Sequence, residues 1–196
     1  MQPLLVILDL DETLIYGTTS PPDTHWDFAV GPYKIYKRPW LTEFLEKLGT
    51  YFNVAVWSSA SDDYVKEVVQ NIFPPDYNLL FVWGRSKCTR QFDYKRIAEW
   101  GRTDDYEHLL YVKHLKKVKQ KGFAPLEKIL IIDDTPSKSI HNYGNAIYPT
   151  EFKGDPKDNE LVLLWKYLLT LEKVDNVRSV EKRSWKSTIS LGDNHT

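Results

Sequence analysis

The chain has 196 residues, of which 42% are hydrophobic and 27% are charged, a composition that suits one globular domain with a full core. Its formal net charge of −1 excludes a bulk basic field, so we expect no non-specific binding of nucleic acid. The chain has one cysteine, which fits a reducing compartment, and no apolar run near the roughly 18 residues of a membrane helix. We also expect no signal peptide. The sequence therefore predicts a soluble intracellular protein of the cytoplasm or nucleus, without membrane contact.

The first predicted element is the apolar run Leu4–Leu8, which is typical of a buried parallel strand. Asp9 and Asp11 follow it directly, at the carboxyl end of the strand, where ligands bind in doubly wound sheets. The two residues are two positions apart, so on an extended backbone their side chains point to the same side. Such a pair is tolerated when a cation lies between the carboxylates or one of them stays protonated. The alternative interpretation is a strand that ends in a polar turn.

The next part of the chain alternates between predicted strands and helices, as expected for a parallel sheet with crossover helices. Turn residues and apolar spacing give the bounds. The sequence first predicts a loop over 18–24, a β-hairpin insert near 25–37 and a helix with Pro39 in its first turn and Gly49 as its stop. A strand over Phe52–Trp57 and a helix with its apolar face from Tyr64 to Ile72 come next. A strand over Leu79–Trp83 and a polar, aromatic stretch to Leu110 follow.

A second acidic signal lies far along the chain, where the apolar run Lys128–Ile132 ends in Asp133 and Asp134. Two buried strands that each deliver acids at their carboxyl ends indicate an all-oxygen site, which favours Mg²⁺. No His or Cys cluster has the spacing of a zinc site. The remaining predicted elements are a helix around 112–121, a strand over 128–133, a short strand at 146–148, a helix over Asn159–Leu171 and a polar tail after Val174 that frays over 192–196.

These motifs carry a resemblance to a known family. The segment Asp9-Leu10-Asp11-Glu12-Thr13 matches the DxDxT signature of the haloacid dehalogenase superfamily of phosphatases. More closely, the chain resembles the branch that includes the phosphatases of the RNA polymerase II C-terminal domain. Four further matches follow in order between residues 4 and 175: Lys37-Arg38-Pro39 after the hairpin, Ser58 after the second core strand, Tyr111-Val112-Lys113, and Asp133-Asp134-Thr135-Pro136.

The resemblance implies a fold and a domain organisation. The fold is α/β: a doubly wound, Rossmann-like parallel sheet with helices on both faces and a small inserted β-hairpin. We expect one domain over residues 1–196, with the hairpin near 25–37 and a longer insert near 89–110. The related phosphatases have only a few residues at this second place. The insert is either an extra surface helix or a substrate-recognition element.

The resemblance also implies a reaction and the residues that carry it. Asp9 is the expected nucleophile of a Mg²⁺-dependent phosphomonoester hydrolase, forming an aspartyl-phosphate. Asp11 is the expected general acid and base, and its backbone carbonyl is the expected metal contact. Lys113 and Ser58 hold the phosphoryl oxygens, with Thr13 and Arg85 as further phosphate-binding residues. The expected metal ligands are Asp9, Asp11, Asp133 and Asp134.

Each residue outside the acidic motifs has an ordinary alternative. Thr13 can cap a turn, and Ser58 can cap a helix, although Ser61 is the better cap candidate. Lys113 lies near a run of lysines that suits a solvated helix face, and Arg85 can be a surface arginine.

Three classes of function stay open from the sequence. The leading one is a protein Ser/Thr phosphatase that acts on a phosphorylated protein or peptide. The second is a phosphatase for a small metabolite or a nucleic-acid end. The third is a non-catalytic binding module of the same fold, and the presence of Asp9, Asp11, Lys113 and Asp133 argues against it.

Overall fold

The computed structural model of the chain describes residues 3–22, 25–92 and 109–192. Its centre is a parallel sheet, as the alternation of strands and helices predicts. In spatial order its strands are Ala146–Ile147 (β10), Ile129–Ile132 (β9), Leu5–Leu8 (β1), Asn53–Trp57 (β5) and Leu79–Trp83 (β6). Leu8, at the end of β1, pairs with Val56 on one side and Ile132 on the other, so three strands end at the same level.

Both faces of the sheet are buried, which explains why the strands are apolar without alternation. In β1, Val6 and Leu8 pack into a large core on one face, and Leu5 and Ile7 pack into a smaller core on the other. The large core includes the apolar faces of four helices: Leu41–Tyr51 (α1), Asp62–Ile72 (α2), Glu160–Leu171 (α4) and Trp185–Gly192 (α5). The smaller core is covered by the short helix Lys116–Gln120 (α3) and the segment after it.

The predicted hairpin is present but belongs to a larger unit. Phe28–Val30 (β3) and Tyr33–Lys37 (β4) pair antiparallel across a turn in which Gly31 has a φ of 52°. A third strand, Ile15–Thr18 (β2), pairs with the other edge of β4. Strand β2 was not predicted, because this short segment follows the first acidic motif and has no alternating apolar pattern.

The predicted ends of α1 are wrong. Pro39 precedes the helix, and Trp40, with a φ of 67°, is its first boundary residue. Gly49 lies inside the helix, which continues to Tyr51. The ring of Tyr77 packs against Gly49, where an added Cβ would lie 3.1 Å from the ring. Close packing, rather than helix termination, therefore accounts for the glycine.

The helix expected around 112–121 is shorter than predicted. Residues Leu109–Val112 form a strand (β8) that pairs antiparallel with Thr89–Phe92 (β7), and α3 begins only at Lys116. The pairing of β8 and the hydrogen bond from Lys113 N–H to the Lys138 carbonyl, 2.8 Å long, hold this segment extended. The two strands are the ends of the predicted insert, and residues 93–108 lie outside the described part. Both interpretations of the insert therefore stay predictions.

The polar tail predicted after Val174 also contains structure. Helix α5 lies within it, and Trp185 and Ile189 pack into the large core. The apolar residues of α5 are too few and too widely spaced to stand out in the sequence. Fraying was expected over 192–196, but Gly192 is the last residue of α5, and residues 193–196 lie outside the described part. Among the described residues, no helix is both long and apolar enough to span a membrane.

Candidate active site

Three predicted site residues lie at the carboxyl edge of the sheet. Asp9 follows β1, Ser58 follows β5 and Asp133 follows β9. Each continues the hydrogen bonding of its strand: the N–H groups of Asp9, Ser58 and Asp133 donate to carbonyls of the neighbouring strand at 2.9, 2.9 and 3.2 Å. The sheet therefore fixes the backbone of each residue, and the three side chains start from one edge, as expected of a doubly wound fold.

Lys113 joins the two acidic motifs. Its ammonium lies 2.8 Å from Asp9 Oδ2 and 2.7 Å from Asp133 Oδ2, and the three side chains are almost completely buried. Burial alone raises the pKa of Asp9, but Lys113 and Lys138 outweigh it and hold the pKa below the ordinary value. For Asp133 burial prevails and raises the pKa to about 6. Asp9 is therefore an ionised carboxylate at neutral pH, as a nucleophile requires.

Asp11 has a different environment from Asp9. The Tyr64 hydroxyl donates to Asp11 Oδ1 at 2.7 Å, and the Ser58 hydroxyl lies 3.5 Å from Asp11 Oδ2. Burial raises the pKa of Asp11, and the charge of Asp9 raises it further, against the hydrogen bond from Tyr64. The pKa values of the two aspartates thus move in opposite directions, which is the pattern of a nucleophile beside a general acid.

Thr13 links the first acidic motif to the second. Its hydroxyl donates to Asp134 Oδ1 at 3.0 Å and accepts the Asp134 backbone N–H at 3.1 Å. Thr135 holds the neighbouring carboxylates: its hydroxyl donates to Asp134 Oδ2 and its N–H donates to Asp133 Oδ1, both at 2.9 Å. Thr13 is fully buried and orients Asp134, so the structure gives it a contact across the site rather than a local turn cap alone.

The carboxylates fit a hard divalent cation. Asp9, Asp133 and Asp134 each offer an oxygen atom, and these oxygens lie within 4.8 Å of one another. Oxygen donors of this kind suit Mg²⁺. The side chain of Asp11 is outside this group, so its expected metal contact through the backbone carbonyl stays a prediction.

The predicted phosphate-binding residues Ser58 and Arg85 differ in how far their side chains are exposed to solvent. Ser58 is buried, and its hydroxyl accepts the Ala60 N–H at 3.0 Å. Ser61 occupies the N-cap position of α2, but its side chain makes no capping hydrogen bond. Arg85 is exposed: its Nε donates to the Ser59 carbonyl at 2.8 Å, and its guanidinium lies 4.9 Å from the ring centre of Tyr111. Both residues therefore have ordinary structural contacts as well as a place near the acidic residues.

An open cavity of about 380 Å³ lies beside the first acidic motif, with Asp11 in its lining. It is bordered by the predicted residues Asp11 and Arg85 and by residues that the sequence analysis did not select. The lining consists of Asp11, Glu12, Gly17, Tyr33, Ser59, Ala60, Ser61, Tyr64, Arg85 and Lys138. The Tyr33 and Tyr64 rings meet edge to face with their centres 5.8 Å apart.

Sequence reasoning missed three residues of this site. Tyr64 was assigned to the apolar face of α2, where its ring does pack, and nothing in the sequence indicates the contact of its hydroxyl with Asp11. Lys138 follows the second acidic motif by four residues, and its ammonium lies 3.4 Å from Asp9 Oδ2. Arg38 was part of the matched Lys-Arg-Pro segment, but the resemblance gave it no role. The structure buries it, and it donates to the carbonyl of Thr13 at 2.9 Å.

Several known proteins are similar to this chain over most of its length. The model of the NLI interacting factor-like phosphatase family matches residues 4–178. CTD small phosphatase-like protein 2 of Dictyostelium discoideum is 27% identical over 180 residues, which are 88% of this chain and 28% of that protein. Human carboxy-terminal domain RNA polymerase II polypeptide A small phosphatase 1 is 26% identical over 184 residues, which are 90% of this chain and 62% of that protein. The chain thus spans less than two thirds of these curated relatives.

A solved structure shares the fold. The structure of Fcp1, an essential RNA polymerase II CTD phosphatase, has a TM-score of 0.54 and 16% sequence identity, and the match covers 98% of this chain and 50% of that one. The likeness supports the α/β, haloacid dehalogenase-like architecture that the sequence predicts.

Proposed function

The chain belongs to the family of NLI interacting factor-like phosphatases, and from this premise we propose that it is a Mg²⁺-dependent phosphomonoester hydrolase that forms an aspartyl-phosphate on Asp9. One observation carries the proposal: the buried carboxylate of Asp9 lies 2.8 Å from the ammonium of Lys113, which also contacts Asp133. A carboxylate that contacts two lysine ammonium groups, and that lies two residues from the cavity-lining Asp11, is suited to attack phosphorus.

In the first step, an oxygen of Asp9 forms a bond to phosphorus while the bond between phosphorus and the ester oxygen breaks. Asp11 gives its proton to the departing oxygen, so the product leaves as a neutral alcohol. The raised pKa of Asp11 keeps a larger fraction of this carboxyl protonated at the start. Lys113 stabilises negative charge on the phosphoryl oxygens, and the Ser58 hydroxyl donates to one of them.

In the second step, Asp11 is a carboxylate and accepts a proton from water as the water oxygen attacks phosphorus. The bond between phosphorus and Asp9 breaks, which releases inorganic phosphate and restores both aspartates. Mg²⁺, when bound by Asp9, Asp133 and Asp134, offsets the negative charge that the phosphate brings to these carboxylates. Thr13 and Thr135 hold Asp134 in place for this contact.

For the substrate, we propose a phosphorylated protein or peptide, with phosphoserine or phosphothreonine as the reacting residue. Two of the similar proteins are phosphatases of the RNA polymerase II carboxy-terminal domain by name, which supports this class. The exposed ring of Tyr33 at the cavity mouth and the guanidinium of Arg85 offer surface to a peptide chain. We place the enzyme inside the cell, as the single cysteine, Cys88, suggests.

The experiment compares wild type, Asp9→Asn and the control Asp76→Asn, an exposed aspartate far along the chain from the acidic motifs. Each protein is assayed with and without Mg²⁺ on phosphopeptides, nucleotides, sugar phosphates and oligonucleotides with a 3′-phosphate. We expect Mg²⁺-dependent turnover, fastest on phosphopeptides, that Asp9→Asn abolishes and Asp76→Asn leaves unchanged. Turnover by a folded Asp9→Asn protein at the wild-type rate would remove Asp9 from the mechanism. A preference for the other substrates would favour the metabolite or nucleic-acid class.

A further inference from the structure

Two lysine ammonium groups contact Asp9 in the described residues, and they differ in access. Lys113 has no exposed side-chain surface and is shared between two carboxylates at 2.8 and 2.7 Å. Lys138 has 19% of its side chain exposed, lies 3.4 Å from Asp9 Oδ2 and borders the cavity. Lys138 is therefore the ammonium that a molecule entering the cavity meets on its way to Asp9.

The surroundings of Lys138 are acidic. Its ammonium contacts Asp9, and the side chains of Asp11 and Glu12 border the same cavity. A phosphate monoester carries up to two negative charges and must pass several carboxylates to reach Asp9. A cation at the cavity wall reduces this repulsion.

We propose that Lys138 is a substrate-binding residue whose ammonium binds a non-bridging oxygen of the phosphoryl group, on the side of Asp9 that faces the cavity. The inference rests on the proposed function and adds one residue to its phosphate-binding site. Lys113 keeps the role given above and in addition holds Asp9 and Asp133 in place from the buried side. The 3.4 Å separation of Lys138 from Asp9 is long for an ion pair, so this ammonium can turn to a phosphoryl oxygen at small cost.

The side chain of Lys138 can be replaced without removing the backbone hydrogen bonds around it. Lys138 lies in the short 3-10 turn Pro136–Ser139, directly after the acidic motif. Its N–H donates to the Thr135 carbonyl at 3.1 Å, and its own carbonyl accepts the N–H of Lys113 at 2.8 Å. These bonds use the main chain alone, so replacing the side chain leaves the support of Lys113 in place.

The experiment uses the whole chain as wild type, Lys138→Met, Lys138→Arg and the control Lys119→Met, which removes an exposed lysine from α3. Three quantities are measured at saturating Mg²⁺: kcat and KM for an aryl phosphate, and the inhibition constant of inorganic phosphate. A fourth is the Mg²⁺ concentration that gives half of full activity. Thermal unfolding reports whether each variant folds, and Lys138→Gln replaces Lys138→Met if the latter does not.

For Lys138→Met we expect weaker phosphate inhibition and a higher KM, each by roughly 10- to 100-fold, as expected from the loss of one charge-assisted hydrogen bond. Lys138→Arg should recover most of the loss, and Lys119→Met should match wild type. An unchanged inhibition constant in folded Lys138→Met would overturn the assignment. So would a change confined to the Mg²⁺ requirement, because Lys138 would then act on the metal site. A wild type without turnover of any phosphomonoester would instead overturn the proposed function itself.

Discussion

The hydroxyl of Tyr64 donates a 2.7 Å hydrogen bond to Asp11 Oδ1 from the first turns of α2, 53 residues along the chain. The bond stabilises the ionised form of Asp11, against burial and the charge of Asp9, which favour the protonated form. Tyr64 thus moderates the pKa of the proposed general acid. The same ring packs against the large core, so its position is fixed from one side by apolar contacts and from the other by Asp11.

We therefore predict that Tyr64→Phe raises the pKa of Asp11. The first step needs protonated Asp11, so activity on a phosphoserine peptide declines as the pH rises through this pKa. In Tyr64→Phe the decline should move to higher pH by about one unit, the equivalent of one hydrogen bond. The pH dependence of kcat/KM measures the shift. Tyr33→Phe, in the same cavity, serves as the control, and an equal shift in both variants would contradict the assignment.

A second prediction separates the roles of Asp9 and Asp11. In Asp11→Asn the nucleophile remains, but no proton is available for the leaving oxygen. An alkyl phosphate such as phosphoserine leaves as a strongly basic oxygen, whereas an activated aryl phosphate does not. Loss of general acid help, worth roughly 10²–10⁴-fold, should therefore fall on phosphoserine peptides far more than on the aryl ester.

The test of Asp11→Asn is a single-turnover measurement with both substrates, together with trapping of the phosphoenzyme. The second step also loses its base, so the aryl substrate should lead to accumulation of phosphorylated Asp9. Equal losses for the two substrates, without a trapped intermediate, would mean that Asp11 serves structure or metal binding instead.

A third prediction concerns the metal. Asp134→Asn keeps the shape of the side chain and can keep one contact with Thr13, but it removes a charged oxygen from the group of three carboxylates. We expect the Mg²⁺ concentration for half of full activity to rise by about 10- to 100-fold, with turnover recovered at high Mg²⁺. A Mg²⁺ titration of activity measures this, with Asp76→Asn as the matched control. A variant that is inactive at every Mg²⁺ concentration, although folded, would argue for a role of Asp134 beyond metal binding.

The parts of the site that the sequence revealed are those fixed by the sheet. Continuous apolar strands are visible without tertiary information, and the residues that follow them, Asp9, Ser58 and Asp133, must lie at its carboxyl edge. Lys113 could be selected only through the resemblance, because its position depends on β8 and on the turn that contains Lys138. Tyr64 and Lys138 could not be selected, since an aromatic residue on an apolar helix face and a lysine in a loop are common in any protein.

A fourth prediction concerns Gly84, between β6 and the turn that begins at Arg85. An added Cβ at Gly84 would lie 2.3 Å from Asp62 Oδ1 and 2.9 Å from the Asp62 backbone. The start of α2 would have to move, so we expect Gly84→Ala to lower the free energy of unfolding by about 1–3 kcal/mol. Urea denaturation measures the loss. The double variant with Asp62→Ala removes only the side-chain clash and should recover part of it. Full recovery would show that the backbone approach has no cost.

The last prediction concerns Arg38, whose guanidinium binds the backbone of the first acidic motif at Thr13. Its guanidinium donates to the carbonyls of Thr13 and Thr150 at 2.9 and 2.8 Å, and it holds both oxygens of Asp158 at 2.9 and 2.8 Å. Arg38 is almost fully buried. A lysine cannot reproduce this planar, forked pattern. A lysine keeps the charge but leaves some of these buried acceptors without a donor, so we expect Arg38→Lys to lower the free energy of unfolding at neutral pH by about 1–3 kcal/mol.

The pH dependence gives this prediction its sharpest test. Burial raises the pKa of Asp158, but the hydrogen bonds from Arg38 and Glu160 outweigh it and lower the pKa below the ordinary 3.8. The unfolded chain therefore takes up the proton first, and the stabilisation is complete above about pH 4 and lost as the pH falls through the lower, folded value. The stability difference between wild type and Asp158→Asn should thus shrink below about pH 4, whereas the neighbouring control Lys157→Met should show no such change. A difference that stays constant into acid would mean that the contribution of Asp158 does not depend on its charge, and would contradict the proposed ion pair with Arg38.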